Sequence, residues 1–188
     1  ADGIYAKNKT DLRASLAEVV KATGKPQIEM LKDSGPDRAL FSKYAMHSFS
    51  AHFVKLAIDP VTGAIEWKKL VCTGDGGRIV SPKTARSQMI GGAVGGIGMA
   101  LTEEALIDPQ TGKYLNDSLA AYHVPRHLDV PHIETWFPDK PDPVINPIGS
   151  KGVGEIALIG FASAVANAIF NATGKRLRSL PIKPEQLI

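Results

Sequence analysis

The chain has 188 residues, of which 44% are hydrophobic and 22% are charged, a composition that suits one globular domain with its own core. Its 22 basic and 19 acidic residues leave a net charge of +3 that is scattered along the chain, so a nucleic-acid partner is not expected. The single cysteine excludes an internal disulfide, and it excludes a zinc or iron–sulfur site built from cysteines of this chain alone.

The N-terminal stretch "ADGIYAKNKT" has no apolar core and is not predicted to be a signal peptide. The first predicted element is a helix within "KTDLRASLAEVVKATGKP", capped by Thr10 or Asp11 and ended by Gly24 and Pro26.

A β-hairpin is predicted next. Its first strand lies near "HSFSAHFVKLAID", where Phe49 and Phe53 alternate only partly with polar positions. The turn "DPVTG" leads to the return strand "AIEWKKLVCT", in which Cys72 is expected to pack as a small hydrophobic residue.

The second half predicts two helices and several short elements. A long helix is expected over about residues 85–104, followed by a turn at "DPQTGKYL" and short strands at "AYHV" and "HIETWF". The proline-rich "PDKPDPVINPIG" predicts no regular structure. A last helix is expected over residues 156–173, with Gly174 as its C-cap and "RLRSLPI" as a terminal strand.

These elements predict an α+β fold, because helices and hairpins mix without a regular βαβ alternation. Residues 1–188 are expected to form a single domain or a fragment of one. The longest apolar run, residues 156–170, is too short and too rich in small residues to predict a membrane span.

The glycine-rich helix "QMIGGAVGGIGMAL" lacks the G-x-G-x-x-G spacing of a dinucleotide fingerprint. Glycine in a helix interior is less stable than alanine, so the presence of several glycines here indicates that close packing requires them. Either Gly91 and Gly95 or Gly92 and Gly96 would line one helix face so that another backbone approaches closely.

The loop at residues 78–84 leads directly into the N-terminus of this helix. Free amides and the helix dipole favour a phosphate there, and Arg78, Lys83 and Arg86 supply matching charge. From the local pattern alone, a purely structural role of this segment is the first interpretation, and phosphate binding is the second.

The histidines predict no metal site. A proline separates His123 from His127, and His47 and His52 fall on opposite faces of the predicted strand. Asp75 in "GDGG" is most simply a turn residue.

The stretch "GSKGVGEIALIGFASAVANAIF" sets one carboxylate, Glu155, between a glycine-rich loop and an apolar helix. A charge there is costly unless something pairs or uses it. Glu155 is therefore either a favourable charge at the helix N-terminus or a functional group.

Three segments resemble one known family. They are "TARSQ-x-x-GG" at the helix start, the loop "G-x-K-G-x-G-E", and the ending "ANAIFNATGKR-x-R-x-LPI". From about "YAMHSFSAHFVKLAIDP" to its end, the chain is similar to the C-terminal part of molybdenum hydroxylase large subunits, the xanthine dehydrogenase and aldehyde oxidase family. It is most like the molybdenum-binding subunits of bacterial aldehyde oxidoreductases. The resemblance implies part of a molybdopterin-binding domain, with helices packed on a mixed sheet and hairpins.

The resemblance also implies an activity, the oxidation of aldehydes to carboxylic acids with water as the oxygen source. Glu155 matches the family's active-site base, which takes the proton from a molybdenum-bound hydroxyl while the electrons pass to iron–sulfur partners. N-heterocycle hydroxylation of the xanthine or isoquinoline type, and a non-catalytic assembly module, are the alternatives.

The implied cofactor is molybdopterin cytosine dinucleotide. Positions that match the family's cofactor contacts are Arg78, Ile79, Val80, Ser81, Pro82, Lys83, Thr84, Gln88, Lys151, Gly152, Val153 and Gly154. One departure is Ser81-Pro82, where the family usually has asparagine-proline.

The implied partners are the remainder of the molybdenum-binding subunit, an iron–sulfur subunit with 2Fe-2S clusters and an FAD subunit. An aldehyde or a heterocycle would be the substrate. The sequence leaves a cytoplasmic and a periplasmic location in bacteria equally open.

Overall fold

The computed structural model describes residues 3–6, 8–31 and 38–188. The chain has two units, one within residues 1–36 and the other within residues 37–188.

The first unit consists of the antiparallel strands β1 (Gly3–Ala6) and β2 (Lys9–Ser15), followed by helix α1 (Leu16–Ala22). The predicted helix start at Thr10 or Asp11 is therefore wrong, because both residues lie in β2. The helix begins only after Ser15, whose hydroxyl accepts from the Glu18 amide while the Glu18 carboxylate accepts from the Ser15 amide. This capping box fixes the boundary.

The second unit contains α2, which the sequence analysis did not predict, together with one sheet and three further helices. Its elements are α2 (Arg38–Lys43), β3 (Phe49–Ile58), β4 (Ile65–Asp75), α3 (Pro82–Leu101), β5 (Ile133–Trp136), α4 (Ile156–Ile159) and α5 (Phe161–Thr173). Short 3-10 turns cover His127–Asp129 and Pro184–Gln186.

The sheet has the order β3-β4-β5, with β3 antiparallel and β5 parallel to β4. The predicted hairpin is confirmed, and so is the α+β class with helices packed on a mixed sheet. In β3 the aromatic side chains Phe49 and Phe53 are exposed, whereas Ser50 and His52 lie on the half-buried side.

The core lies between the sheet, α3 and α5. Eight of the buried core residues repeat every four residues on each helix and every two on β4: Met89, Ala93, Ile97, Phe161, Val165, Ile169, Leu70 and Cys72. Burial raises the pKa of the Cys72 thiol to about 11, so this residue is the small hydrophobic core residue that the sequence predicts.

Two glycines of α3 allow α4 and α5 to approach closely. A Cβ on Gly92 would lie 2.8 Å from the Ala157 Cβ, and one on Gly96 would lie 2.4 Å from the Phe161 Cβ. At Gly91 a Cβ would meet no atom within 4 Å in the described chain. The close-approach interpretation is thus confirmed for the Gly92 and Gly96 face.

The last helix bends at Gly160, which separates α4 from α5, and ends at Gly174 in the left-handed conformation as predicted. Ile156–Thr173, with mean hydropathy 1.6, is the one stretch of the described chain that is long and apolar enough to cross a membrane. Core helices of soluble proteins have the same length and hydropathy, and Phe161 and Val165 of this stretch are fully buried in the core.

Two predicted strands are wrong. In "AYHV" the amides of Ala121 and Tyr122 donate to the Ser118 carbonyl, which forms a turn. In "RLRSLPI" the Ile182 amide donates to the Ala100 carbonyl at 2.7 Å, so the segment is bonded to the end of α3 rather than to a strand. The strand at "HIETWF" is confirmed as β5.

Candidate functional site

Two loops that are distant in sequence lie side by side after β4 and before α4. The Lys151 amide donates to the Gly76 carbonyl at 2.7 Å, and the Arg78 amide donates to the Gly149 carbonyl at 2.8 Å. Ser150 adds a side-chain bond from its hydroxyl to the Arg78 carbonyl, also at 2.8 Å. The sequence-predicted segments 78–84 and 151–154 are thereby brought together.

Gly77 makes this approach possible. Its φ is +65°, which favours glycine, and a Cβ there would lie 2.3 Å from the Gly149 carbonyl oxygen. The "GDGG" motif therefore has a structural role beyond an ordinary turn.

An ion pair between Lys151 and Asp75 connects the same loops. The Lys151 ammonium lies 2.6 Å from Oδ2 of Asp75 and 3.9 Å from Oδ2 of Asp142, and its side chain is only 7% exposed. The other oxygen of Asp75 accepts from the Gly77 amide at 3.0 Å. The hydrogen bond from Lys151, followed by that from Gly77, lowers the pKa of Asp75 below its ordinary value.

A groove of about 280 Å³ opens between the two loops and the first turns of α3. Among the predicted cofactor contacts it is lined by Arg78, Ile79, Val80, Ser81, Thr84, Gln88, Lys151 and Val153. Pro82, Lys83, Gly152 and Gly154 lie outside its lining. The sequence analysis missed Gly76, Ala85 and Ser150, which complete the wall.

The N-terminus of α3 faces this groove, and the nearby Asp139 carboxylate accepts from the Ile79 amide at 2.7 Å. Pro82 occupies the first helical position, and the first turn contains no acidic residue. Within the described chain the Ser81 side chain makes no capping hydrogen bond. The first-turn amides of a helix have no intrahelical partner, so this end favours an anionic ligand.

Glu155 is exposed and precedes α4 directly. Its side chain makes no capping hydrogen bond to α4 within the described residues. Its position depends instead on the turn backbone, in which the Ile156 amide donates to the Val153 carbonyl and the Leu158 amide to the Glu155 carbonyl.

Three polar residues of the β3 segment lie beneath the Glu155 turn, and the sequence analysis gave them no role there. They are Ser48, which directly precedes β3, and Ser50 and His52, which lie within it, each two residues from the next. A period of two among polar residues was readable from the sequence, but which side it faces depends on packing. His47, expected on the strand face opposite His52, lies ahead of β3 and is exposed. Among the described residues, no group of three or more histidine, cysteine, aspartate or glutamate side chains is arranged to hold a metal ion.

A family model described as "Molybdopterin cofactor-binding domain" matches residues 2–131. The chain is 42% identical over 149 residues to the aldehyde oxidoreductase molybdenum-binding subunit PaoC of Escherichia coli. This match covers 79% of the present chain and 20% of PaoC. It is 31% identical over 191 residues to the 6-hydroxypseudooxynicotine dehydrogenase complex subunit gamma of Paenarthrobacter nicotinovorans, covering 98% of this chain and 24% of that one.

The fold is similar to that of the reconstituted CO dehydrogenase from Oligotropha carboxidovorans, with a TM-score of 0.67 and 28% identity. This match covers 74% of the present chain and 18% of the other. The chain spans about a fifth of the length of the curated relatives it matches.

Proposed function

Because this chain belongs to the molybdopterin cofactor-binding domain family, within the group of xanthine dehydrogenase and aldehyde oxidoreductase molybdenum-binding subunits, we propose that it forms one wall of a molybdenum cofactor pocket in an aldehyde oxidoreductase. The observation that carries this proposal is the pairing of loops 76–81 and 149–151, which creates one groove whose lining includes Val153, two residues before Glu155 in the sequence.

The residues of the groove fit such a cofactor. The Gln88 amide offers a donor and an acceptor together, as a pterin edge requires, and the Arg78 guanidinium and the first-turn amides of α3 suit phosphates. We propose that residues 78–84 hold the phosphates of the cytosine dinucleotide form.

The glycines around Lys151 support the same role. A Cβ at Gly152 or Gly154 would meet no atom within 4 Å in the described chain, and neither residue has a positive φ. The chain itself does not need glycine at these positions, so the open space beside their backbone suits a group from outside. Lys151 would contribute through its backbone carbonyl, because its amide donates to the Gly76 carbonyl and its ammonium is paired with Asp75.

A molybdenum cofactor, when bound, supplies the two-electron oxidation of the substrate carbon. Water adds to an aldehyde carbon, and the net reaction yields the carboxylic acid with two electrons and two protons. We assign to Glu155 the uptake of one proton by a carboxylate oxygen from the water-derived nucleophile. Its exposed side chain, which makes no capping bond to α4 within the described chain, is available for this step.

The partners proposed are the remainder of the subunit, an iron–sulfur subunit with 2Fe-2S clusters and an FAD subunit. The similarity to a subunit of a dehydrogenase complex supports assembly with other chains. Because that similarity covers 98% of the chain and the relative's name specifies 6-hydroxypseudooxynicotine, a heterocyclic substrate is the second candidate.

The test is metal and nucleotide analysis of the purified complex, followed by a dye-reduction assay with aromatic aldehydes and N-heterocycles. We expect molybdenum, cytidine nucleotide and aldehyde turnover. Oxidation of heterocycles alone would favour the second candidate. A folded complex without molybdenum would favour a non-catalytic assembly module and overturn the proposal.

A further inference from the structure

The turn that carries Glu155 is bonded at one end to Ser48, which directly precedes β3, and at the other end to Ser50 within β3. The Ser48 hydroxyl donates to the Gly152 carbonyl at 2.6 Å, and the Ser50 hydroxyl donates to the Ile156 carbonyl at 2.6 Å. These carbonyls stand three residues before and one residue after Glu155. Both hydroxyls bond to the same turn, so the two serine side chains point to the same side.

His52 extends this row of polar residues by one step. Its Nε2 lies 3.0 Å from the Ser50 hydroxyl oxygen. Because the single hydroxyl proton of Ser50 is donated to Ile156, the Ser50 oxygen must accept, and we assign the ring proton to Nε2 on this basis. The remaining nitrogen, Nδ1, is buried and has no hydrogen-bond partner in the described chain.

The imidazole also supports the end of α4. A Cβ on Gly160 would lie 2.5 Å from Cδ2 of His52, so the bend between α4 and α5 fits against the ring. Phe161 meets the same ring edge-on, with centroids 6.1 Å apart. Burial lowers the pKa of His52 below its ordinary value, against a smaller opposing effect of the Ile156 carbonyl, which agrees with a neutral ring.

We propose that Ser48, Ser50 and His52 form a positioning clamp that fixes the backbone on both sides of Glu155 and thereby aims its carboxylate. This inference rests on the proposed role of Glu155 as the base. The clamp residues act only through the turn, so they are positioning residues rather than catalytic ones.

Positioning by the backbone matters because, within the described residues, the Glu155 side chain makes no capping hydrogen bond to α4. Its aim is therefore set by the turn backbone, and a displacement of about 1 Å at a reacting group is enough to lower turnover on the order of a hundredfold. Removal of one hydroxyl frees a carbonyl at one end of the turn but leaves the groove residues in contact.

The experiment compares Ser50→Ala, Ser50→Thr and Ser48→Ala in the complete complex, with the exposed Ser163→Ala on α5 as the matched control. Molybdenum content, kcat, KM and hydrogen exchange of the amides of residues 153–158 are measured. We expect Ser50→Ala to lower kcat about tenfold at unchanged molybdenum content and KM, and to speed exchange of these amides. Ser50→Thr, which keeps a hydroxyl, restores both, and Ser163→Ala changes neither.

Unchanged exchange in Ser50→Ala overturns the clamp. Faster exchange with unchanged kcat, or loss of molybdenum with unchanged kcat per molybdenum, overturns its positioning role. If Ser50→Ala does not assemble, Ser48→Ala carries the same expectation. Glu155→Gln is measured in parallel, because near-normal turnover in that variant overturns the base assignment alone, while the exchange data still decide the clamp.

Discussion

The Lys151 ammonium lies 2.6 Å from Oδ2 of Asp75 and so joins two loops that are 76 residues apart in the sequence. Because the Lys151 side chain is almost completely buried, its charge depends on this carboxylate. The ion pair therefore stabilises the contact between the two loops whose backbone hydrogen bonds form the groove.

We expect Asp75→Asn to destabilise the protein by about 1–3 kcal/mol, because it removes a charged hydrogen-bond acceptor from a buried lysine. The loss is measured as a decrease in Tm of the purified complex. Glu134→Gln is the matched control, since its ion pair with Lys69 is 3.0 Å long but exposed, and it is expected to cost less than about 1 kcal/mol. Equal Tm losses in the two variants would contradict the structural importance of the Asp75 pair.

The glycines of α3 give a test of close packing within one helix. Gly96→Ala is expected to cost about 1–3 kcal/mol, because its Cβ would fall 2.4 Å from the Cβ of the fully buried Phe161. Gly91→Ala meets open space and is expected to be neutral or stabilising by up to about 1 kcal/mol. Thermal melting checks both, and a Gly96→Ala protein as stable as Gly91→Ala would refute the packing.

Arg78 lines the groove and tests the phosphate assignment. We expect Arg78→Glu to lower the cytidine nucleotide extracted from the purified complex, because it reverses the charge next to the proposed phosphates. Reversal at Lys83 or Arg86, which lie outside the groove lining, is expected to have a smaller effect. Lys68→Glu, on the exposed part of β4, is the control and should retain full nucleotide. Undiminished nucleotide in Arg78→Glu would rule out this groove as the dinucleotide site.

His52 makes stability depend on pH in a defined direction. Its folded-state pKa is lowered by burial, so the unfolded chain takes up a proton first as the pH falls below about 6.5. The free energy of unfolding from this group therefore decreases between that pH and the lower folded-state pKa.

Two histidine variants test this pH dependence. Tm measured from pH 8 to pH 5 is expected to fall less steeply in His52→Gln than in the parent protein, whereas the exposed His47→Gln keeps the parent slope. Identical slopes in parent and His52→Gln would show that His52 does not control this dependence.

Much of the fold was predictable because the signals are local. The hairpin, the glycine-rich helix and the Gly174 cap follow from periodicity and turn residues. The start of α1 was also readable, since Ser15 and Glu18 have the S-x-x-E spacing of a capping box. The terminal segment was not, because the bond from Ile182 to Ala100 is a tertiary contact.

Some of the site residues were likewise predictable from local motifs, whereas others depend on tertiary packing. The loops 78–84 and 151–154 carry recognisable motifs, and the structure brings them together. No local pattern pairs Asp75 with Lys151 or shows that Ser48 and Ser50 face the Glu155 turn, because those relationships exist only once β3, β4 and α4 are packed.

Glu155→Gln in the complete complex tests the central assignment most directly. Glutamine keeps the volume and hydrogen-bonding capacity of glutamate but cannot accept the proton as a carboxylate does. With molybdenum content verified, we expect turnover of an aromatic aldehyde, followed by dye reduction, to fall on the order of a hundredfold or more. A metal-replete Glu155→Gln enzyme with near-normal turnover would contradict the role of Glu155 as the base.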